Sequence, residues 1–127
     1  PLKSILSGVP KGLPAIVKAL RLQEKAKAVG FEWKNIEQVW EKVEEELAEV
    51  KSAILTDDKA VIEMELGDLF FALINYARFL NIDPESALEK VNQKFIYRFQ
   101  YIEQNAQKPL VEMTLTEMEA LWQAAKM

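Results

Sequence analysis

Two acidic clusters hold the residue types and spacings that could do chemistry: Glu45-Glu46-Leu47-Ala48-Glu49 and, sixteen residues beyond Glu49, Glu65-Leu66-Gly67-Asp68. On a helix, carboxylates three or four residues apart project from neighbouring turns. The second cluster lies inside the apolar run Val61–Ile74, where a carboxylate is costly unless a cation meets it. No Lys or Arg occurs between Val61 and Tyr76, so that cation must come from elsewhere. A divalent metal is the economical candidate. The chain has no His and no Cys, which removes the usual zinc ligands, the commonest general base and thiol catalysis. A metal must therefore accept oxygen ligands, which points to magnesium, manganese or calcium. Magnesium suits such a site because it shares its coordination sphere with substrate phosphates, and the reaction class implied is hydrolysis of a phosphoanhydride. A carboxylate not fully engaged with metal, Glu45 or Glu49, could take the proton of the attacking water.

The elements that must position these acids are helices. Four glycines and five prolines punctuate a helical periodicity, and no alternating strand pattern is present. After an irregular Pro1–Gly12 segment, a first helix is expected over Leu13–Val29, with Pro14 in its first turn and Gly30 just past its end. Asn35, with Gln38 in a capping-box position, opens a second helix over Ile36–Leu55. Thr56-Asp57-Asp58 is a turn and cap before a third helix over Lys59–Leu80, apolar nearly all round after Leu66 and so expected to be the central buried element. Asp83-Pro84 starts a fourth helix running to Gln104, and Thr114 with Glu117 forms a capping box for a last helix through Ala125. The expectation is an all-α bundle of about five helices around a central antiparallel hairpin, in one domain spanning residues 1–127.

Helical geometry decides which acids converge. Taking the second helix's apolar stripe as centred near Leu47 and Ile54, Glu46 lies on its flank, Glu49 farther round and Glu45 nearly opposite. Glu65 and Asp68 fall about 60° apart on one side of the Leu66–Leu69–Leu73 stripe. Packed as a hairpin, the second and third helices let Glu46, Glu49, Glu65 and Asp68 face a common site. The bland alternative makes the first cluster a solvated face and pairs Glu65 and Asp68 with Arg78, Lys94 or Arg98 as structural ion pairs. Lys94 and Arg98, one turn apart, can reach phosphate oxygens, though alone they read as surface cations. Trp33 and Trp122 are free to stack on a nucleobase, whereas Trp40 belongs on the apolar stripe and in the core.

The formal charge of −4 and pI near 5.0 argue against sequence-independent nucleic-acid binding. No apolar run is long enough to cross a membrane, so the expectation is a cytoplasmic protein without a membrane partner. A start at Pro1 suggests processing or a fragment of a longer chain.

The segment from Lys42 through Asp68 resembles the Glu-Glu-x-x-Glu … Glu-x-x-Asp signature of the all-α nucleoside triphosphate pyrophosphohydrolases. Val29-Gly30-Phe31-Glu32-Trp33, Glu65–Arg78, Asp83–Leu88, Asn92-x-Lys94-Phe95-x-x-Arg98-Phe99 and Met113–Trp122, taken in order, are similar to the C-terminal catalytic domain of the MazG family. That resemblance implies cleavage of nucleoside triphosphates to monophosphate and pyrophosphate, with magnesium (or manganese in its place) held at Glu46, Glu49, Glu65 and Asp68. It implies phosphate contacts from Lys42, Lys94 and Arg98, places Asn92 in the substrate-binding string, and implies a homodimer and a second, related domain in the full-length protein. Relatives act on dUTP, dCTP or phosphoribosyl-ATP, and the acids alone do not separate these substrates. A competing reading is a non-enzymatic helical interaction module whose acids solvate a dimer surface.

Overall fold

The computed structural model describes residues 3–126, so Pro1 and Leu2, within the segment expected to be irregular, and Met127 lie outside the described residues. Among the described residues five α-helices follow one another: α1 (Ala15–Ala28), α2 (Ile36–Ile54), α3 (Lys59–Phe79), α4 (Pro84–Asn105) and α5 (Leu115–Ala124). Single 3-10 turns occupy Ile5–Gly8, inside the expected irregular segment, and Leu110–Glu112; no strand occurs among the described residues. Contacts divide the chain into two compact units, Pro1–Glu85 and Ser86–Met127.

Local chemistry sets the helix ends. Pro14 is the N-cap of α1 rather than a first-turn residue, and Gly30 leaves the helix at φ 92°, a region that favours glycine. Asn35 Oδ1 accepts from the Gln38 N–H at 3.0 Å, but Gln38 Oε1 reaches back to the Lys34 N–H, one residue before the cap. Asp58 Oδ1 caps α3 by accepting from the Ala60 N–H at 3.0 Å. Asn81 (φ 58°) ends α3 in the left-handed conformation that Asn tolerates.

In the first unit α2 packs chiefly on α3 as a hairpin, and α1 lies against α3. The buried residues of α2 are Val39, Val43, Glu46, Val50 and Ala53, spaced four, three, four and three apart. This is the heptad-like seam of closely packed helices, and Glu46 occupies its middle. Leu47 and Ile54, expected at the centre of the buried stripe, are 43% and 56% exposed. They lie with half-exposed Trp40 on a second apolar stripe beside the seam, so Trp40 is not a core residue; its ring packs on Tyr76 with centroids 5.1 Å apart.

The third helix also departs from expectation. Only Ala72 and Ile74 are fully buried there, while Leu66, Phe70, Phe71 and Leu73 stay exposed. An all-round apolar helix needs neighbours on every side, and α2 and α1 cover only part of it.

The second unit is the α4–α5 pair, in which Ile102 and Ala125 are buried. The Thr114 box is complete: Thr114 Oγ1 accepts from the Glu117 N–H at 3.1 Å, and Glu117 Oε1 accepts from the Thr114 N–H at 2.9 Å. That backbone donor, with Lys108 3.1 Å away, holds the Glu117 carboxyl below its usual range. Among the described residues, no helix is long and apolar enough to cross a membrane.

Candidate functional site

The α2–α3 seam carries a carboxylate on each side. Glu46 sits in mid-seam on α2, and on α3 the half-buried series Ile62, Glu65, Leu69 with buried Ala72 repeats at three- and four-residue steps. Seam positions normally take apolar side chains, so two glutamates facing one another there need a reason. Asp68, one turn after Glu65 and exposed, joins them: one carboxylate oxygen from each of Glu46, Glu65 and Asp68 lies within 4.8 Å of the others.

These oxygens come from two helices locked as a hairpin, so their convergence is set by packing and not by loop conformation. The donor set is all carboxylate, which suits a hard divalent cation of the magnesium or manganese kind. The electrostatics point the same way. Burial, and then the negative charges of Asp68, Glu49 and Glu46, push the Glu65 carboxyl above its ordinary value. Such a site is short of positive charge. Glu46 is met instead by Lys42, one turn earlier on α2, whose Nζ is 3.0 Å from Glu46 and 3.2 Å from Glu45. Both carboxylates hold the ammonium in its charged form, raising it above its usual value.

The other expected site residues are placed as follows. Glu49 is exposed and stands outside the trio, although its charge is felt at Glu65. Glu45 is exposed, as its helical angle requires, and touches the site only through Lys42. Trp33 is half-exposed in the loop before α2. In the second unit, Arg98 lies over the Trp122 ring at 5.2 Å, Phe95 packs on the same ring at 5.5 Å, and Lys94 is exposed one turn from Arg98. Asn92 Nδ2 donates to Glu89 at 3.4 Å.

Arg78, one possible structural partner for Glu65 and Asp68, is committed elsewhere. Its guanidinium pairs with Glu32 at 2.7 Å, donates to Asn75 Oδ1 at 2.6 Å and stacks on Phe79. Two residues of the first unit hold positions that the sequence alone does not signal. Glu32 ties the loop before α2 to α3 through Arg78, and buried Gln23 of α1 donates from Nε2 to the Phe71 carbonyl at 3.0 Å. The signal for Gln23 was a polar residue between apolar Leu20 and Ala26, too common a pattern to single out.

Residues 34–102, which include Lys42 and every acid of the two clusters, match the MazG nucleotide pyrophosphohydrolase domain. The chain is 45% identical over 117 residues to the nucleoside triphosphate pyrophosphohydrolase/pyrophosphatase MazG of Thermotoga maritima, covering 90% of this chain and 45% of that protein. It is 38% identical over 130 residues to the nucleoside triphosphate pyrophosphohydrolase of Escherichia coli K12, covering 97% of this chain and 49% of that protein. The chain thus spans about half the length of these relatives. By the extent of these matches, the chain belongs to the MazG nucleotide pyrophosphohydrolase domain family.

Proposed function

We propose that this domain hydrolyses nucleoside triphosphates, ribo- and deoxyribo- alike, to the monophosphate and pyrophosphate in a magnesium-dependent reaction. The observation that carries this reading is the convergence of Glu46, Glu65 and Asp68 from two packed helices. The names of the two relatives supply the substrate class.

In this reading Glu46, Glu65 and Asp68 hold the divalent cation, with Glu49 as a fourth carboxylate able to swing inward from the surface. A bound magnesium supplies positive charge where negative charge develops on the phosphate oxygens. The chain's own residues do the rest. Lys42, one turn before Glu46, binds phosphate oxygens through its ammonium. The half-exposed indole of Trp33 offers a face to the base. Water attacks one phosphorus of the α–β linkage, and that phosphorus's bond to the bridging oxygen breaks. The bridging oxygen leaves with the other phosphate, so that pyrophosphate and monophosphate separate. The water's proton passes to a carboxylate, for which exposed Glu49 is better placed than Glu45, already engaged with Lys42.

The reading also makes the protein cytoplasmic and a homodimer, and the dimer is supported by the apolar side chains that α3 leaves exposed. The 127 residues are then one catalytic domain of a longer, two-domain chain, a reading supported by the relatives' greater length.

Incubation with each NTP and dNTP plus Mg²⁺, with products resolved chromatographically, tests the chemistry. Monophosphate and pyrophosphate are expected; diphosphate and orthophosphate would sink the proposal. Glu65→Ala and Asp68→Ala should each lower kcat/KM by at least about a thousandfold while helicity by circular dichroism is kept. Near-wild-type turnover in either variant would show that the site lies elsewhere.

A further inference from the structure

Lys42 is bound at both ends of a short path. Its Nζ lies 3.0 Å from Glu46, whose side chain is only 10% exposed, and 3.2 Å from Glu45, whose side chain is 59% exposed. Lys–Glu pairs one turn apart are commonplace on helix surfaces and contribute little. This pair differs at its acidic end, because Glu46 lies in the α2–α3 seam and is a member of the converging trio. A divalent cation held by that trio and the ammonium at Glu46 would draw on the same carboxylate charge and repel one another at close range. The lysine stem is long and partly exposed, and Glu45 offers it a seat facing water.

We propose that Lys42 is an exchangeable internal counter-ion: it neutralises Glu46 while no metal is bound, and it moves outward with Glu45 when a divalent cation enters. This inference rests on the metal-site reading above. Its consequence is that metal loading and triphosphate binding are coupled through one side chain. The ammonium released by the metal becomes available to the phosphates, and the site binds metal more weakly on its own than its carboxylates would allow.

Mn²⁺ binding to the whole 127-residue chain without nucleotide, followed by the electron paramagnetic resonance of free Mn²⁺, tests this. Lys42→Met should tighten Mn²⁺ binding by about three- to tenfold, the range of one partly buried ion pair. Lys51→Met, which removes the same charge from an exposed position on α2, should change it less than about twofold. Thermal unfolding gives the second readout. Lys42→Met should lower the midpoint of the metal-free protein, because Glu46 is left unpaired, and saturating Mn²⁺ should raise that midpoint by more than in the wild type. Equal effects of the two lysine variants, or an Mn²⁺-induced rise no larger than wild type, would overturn the counter-ion role while leaving the metal site standing. Failure of the wild-type protein to bind Mn²⁺ would overturn the metal site and this role with it.

Discussion

At the scale of single residues, the acid pressed hardest by its surroundings is Glu65. Burial and the charges of Asp68, Glu49 and Glu46 make it keep its proton to higher pH than the ordinary value of 4.5. The linkage has a definite sign: a raised carboxyl favours the folded, metal-free protein below the ordinary carboxylate range, and that gain disappears as pH rises through the raised value. Metal binding needs the same group deprotonated, so it has the opposite pH dependence. Mn²⁺ affinity is therefore expected to fall with decreasing pH from above the ordinary glutamate range, earlier than solvated carboxylates would dictate. Glu65→Gln should weaken binding by at least about tenfold at neutral pH and remove the upper part of that pH dependence. An affinity that stayed flat down to the ordinary carboxylate range would exclude Glu65 as a ligand. Glu65 and Asp68 were legible in the sequence because an apolar run without a cation made them anomalous. Lys42 was legible as a neighbour one turn away, but its partner at Glu46 depended on a rotamer that only packing selects.

At the scale of elements, the hairpin has a polar residue where its packing asks for an apolar one. Both apolar stripes of α2 satisfy helical periodicity, and the sequence offers no way to tell which faces α3. Centring on Leu47 and Ile54 displaced Glu46 to a flank, whereas the observed seam through Val39, Val43, Val50 and Ala53 puts it in the middle. The helix boundaries were legible to within one or two residues, because Asn35, Asp58, Asn81 and Thr114 act locally. A glutamate retained in a packed seam for chemistry should cost stability. Glu46→Leu is expected to stabilise the metal-free protein by about 1 kcal/mol in urea unfolding, since replacing a buried ion pair by packed hydrocarbon is neutral to favourable. Lys42 keeps Glu45 as a partner in that variant. The same substitution should abolish hydrolysis and any Mn²⁺-dependent rise in the unfolding midpoint. Marked destabilisation would mean that Glu46 is there for folding and not for the site.

At the scale of the whole molecule, the apolar surface left on the first unit must be explained. Leu47 and Ile54 on α2, and Leu66, Phe70 and Leu73 on α3, remain at least one-third exposed. Leu66 and Phe70 also line an open hollow of about 550 Å³, together with Lys59, Ile62, Glu63 and Gly67. Gly67 sharpens the point. A glycine inside a helix costs about 1 kcal/mol relative to alanine, yet a Cβ there would meet nothing within 4 Å in this chain. The residue is wasteful for an isolated protomer and reasonable where another backbone comes close. Large apolar side chains exposed along a helix suit an interaction surface, and a second copy meeting them would bury roughly 800 Å² per partner in a standard-sized interface. Sedimentation velocity at about 10 μM, a concentration at which standard-sized interfaces can hold, is therefore expected to show a dimer. Phe70→Glu, placing a charge in the hollow without touching the acidic trio, should shift it to monomer with helicity intact. Gly67→Ala should weaken the dimer while making α3 itself more stable. A wild-type chain that sediments as a monomer even at about 100 μM, a weak-affinity limit of about 5.5 kcal/mol of association, would leave α3's apolar face to some occupant other than a second copy.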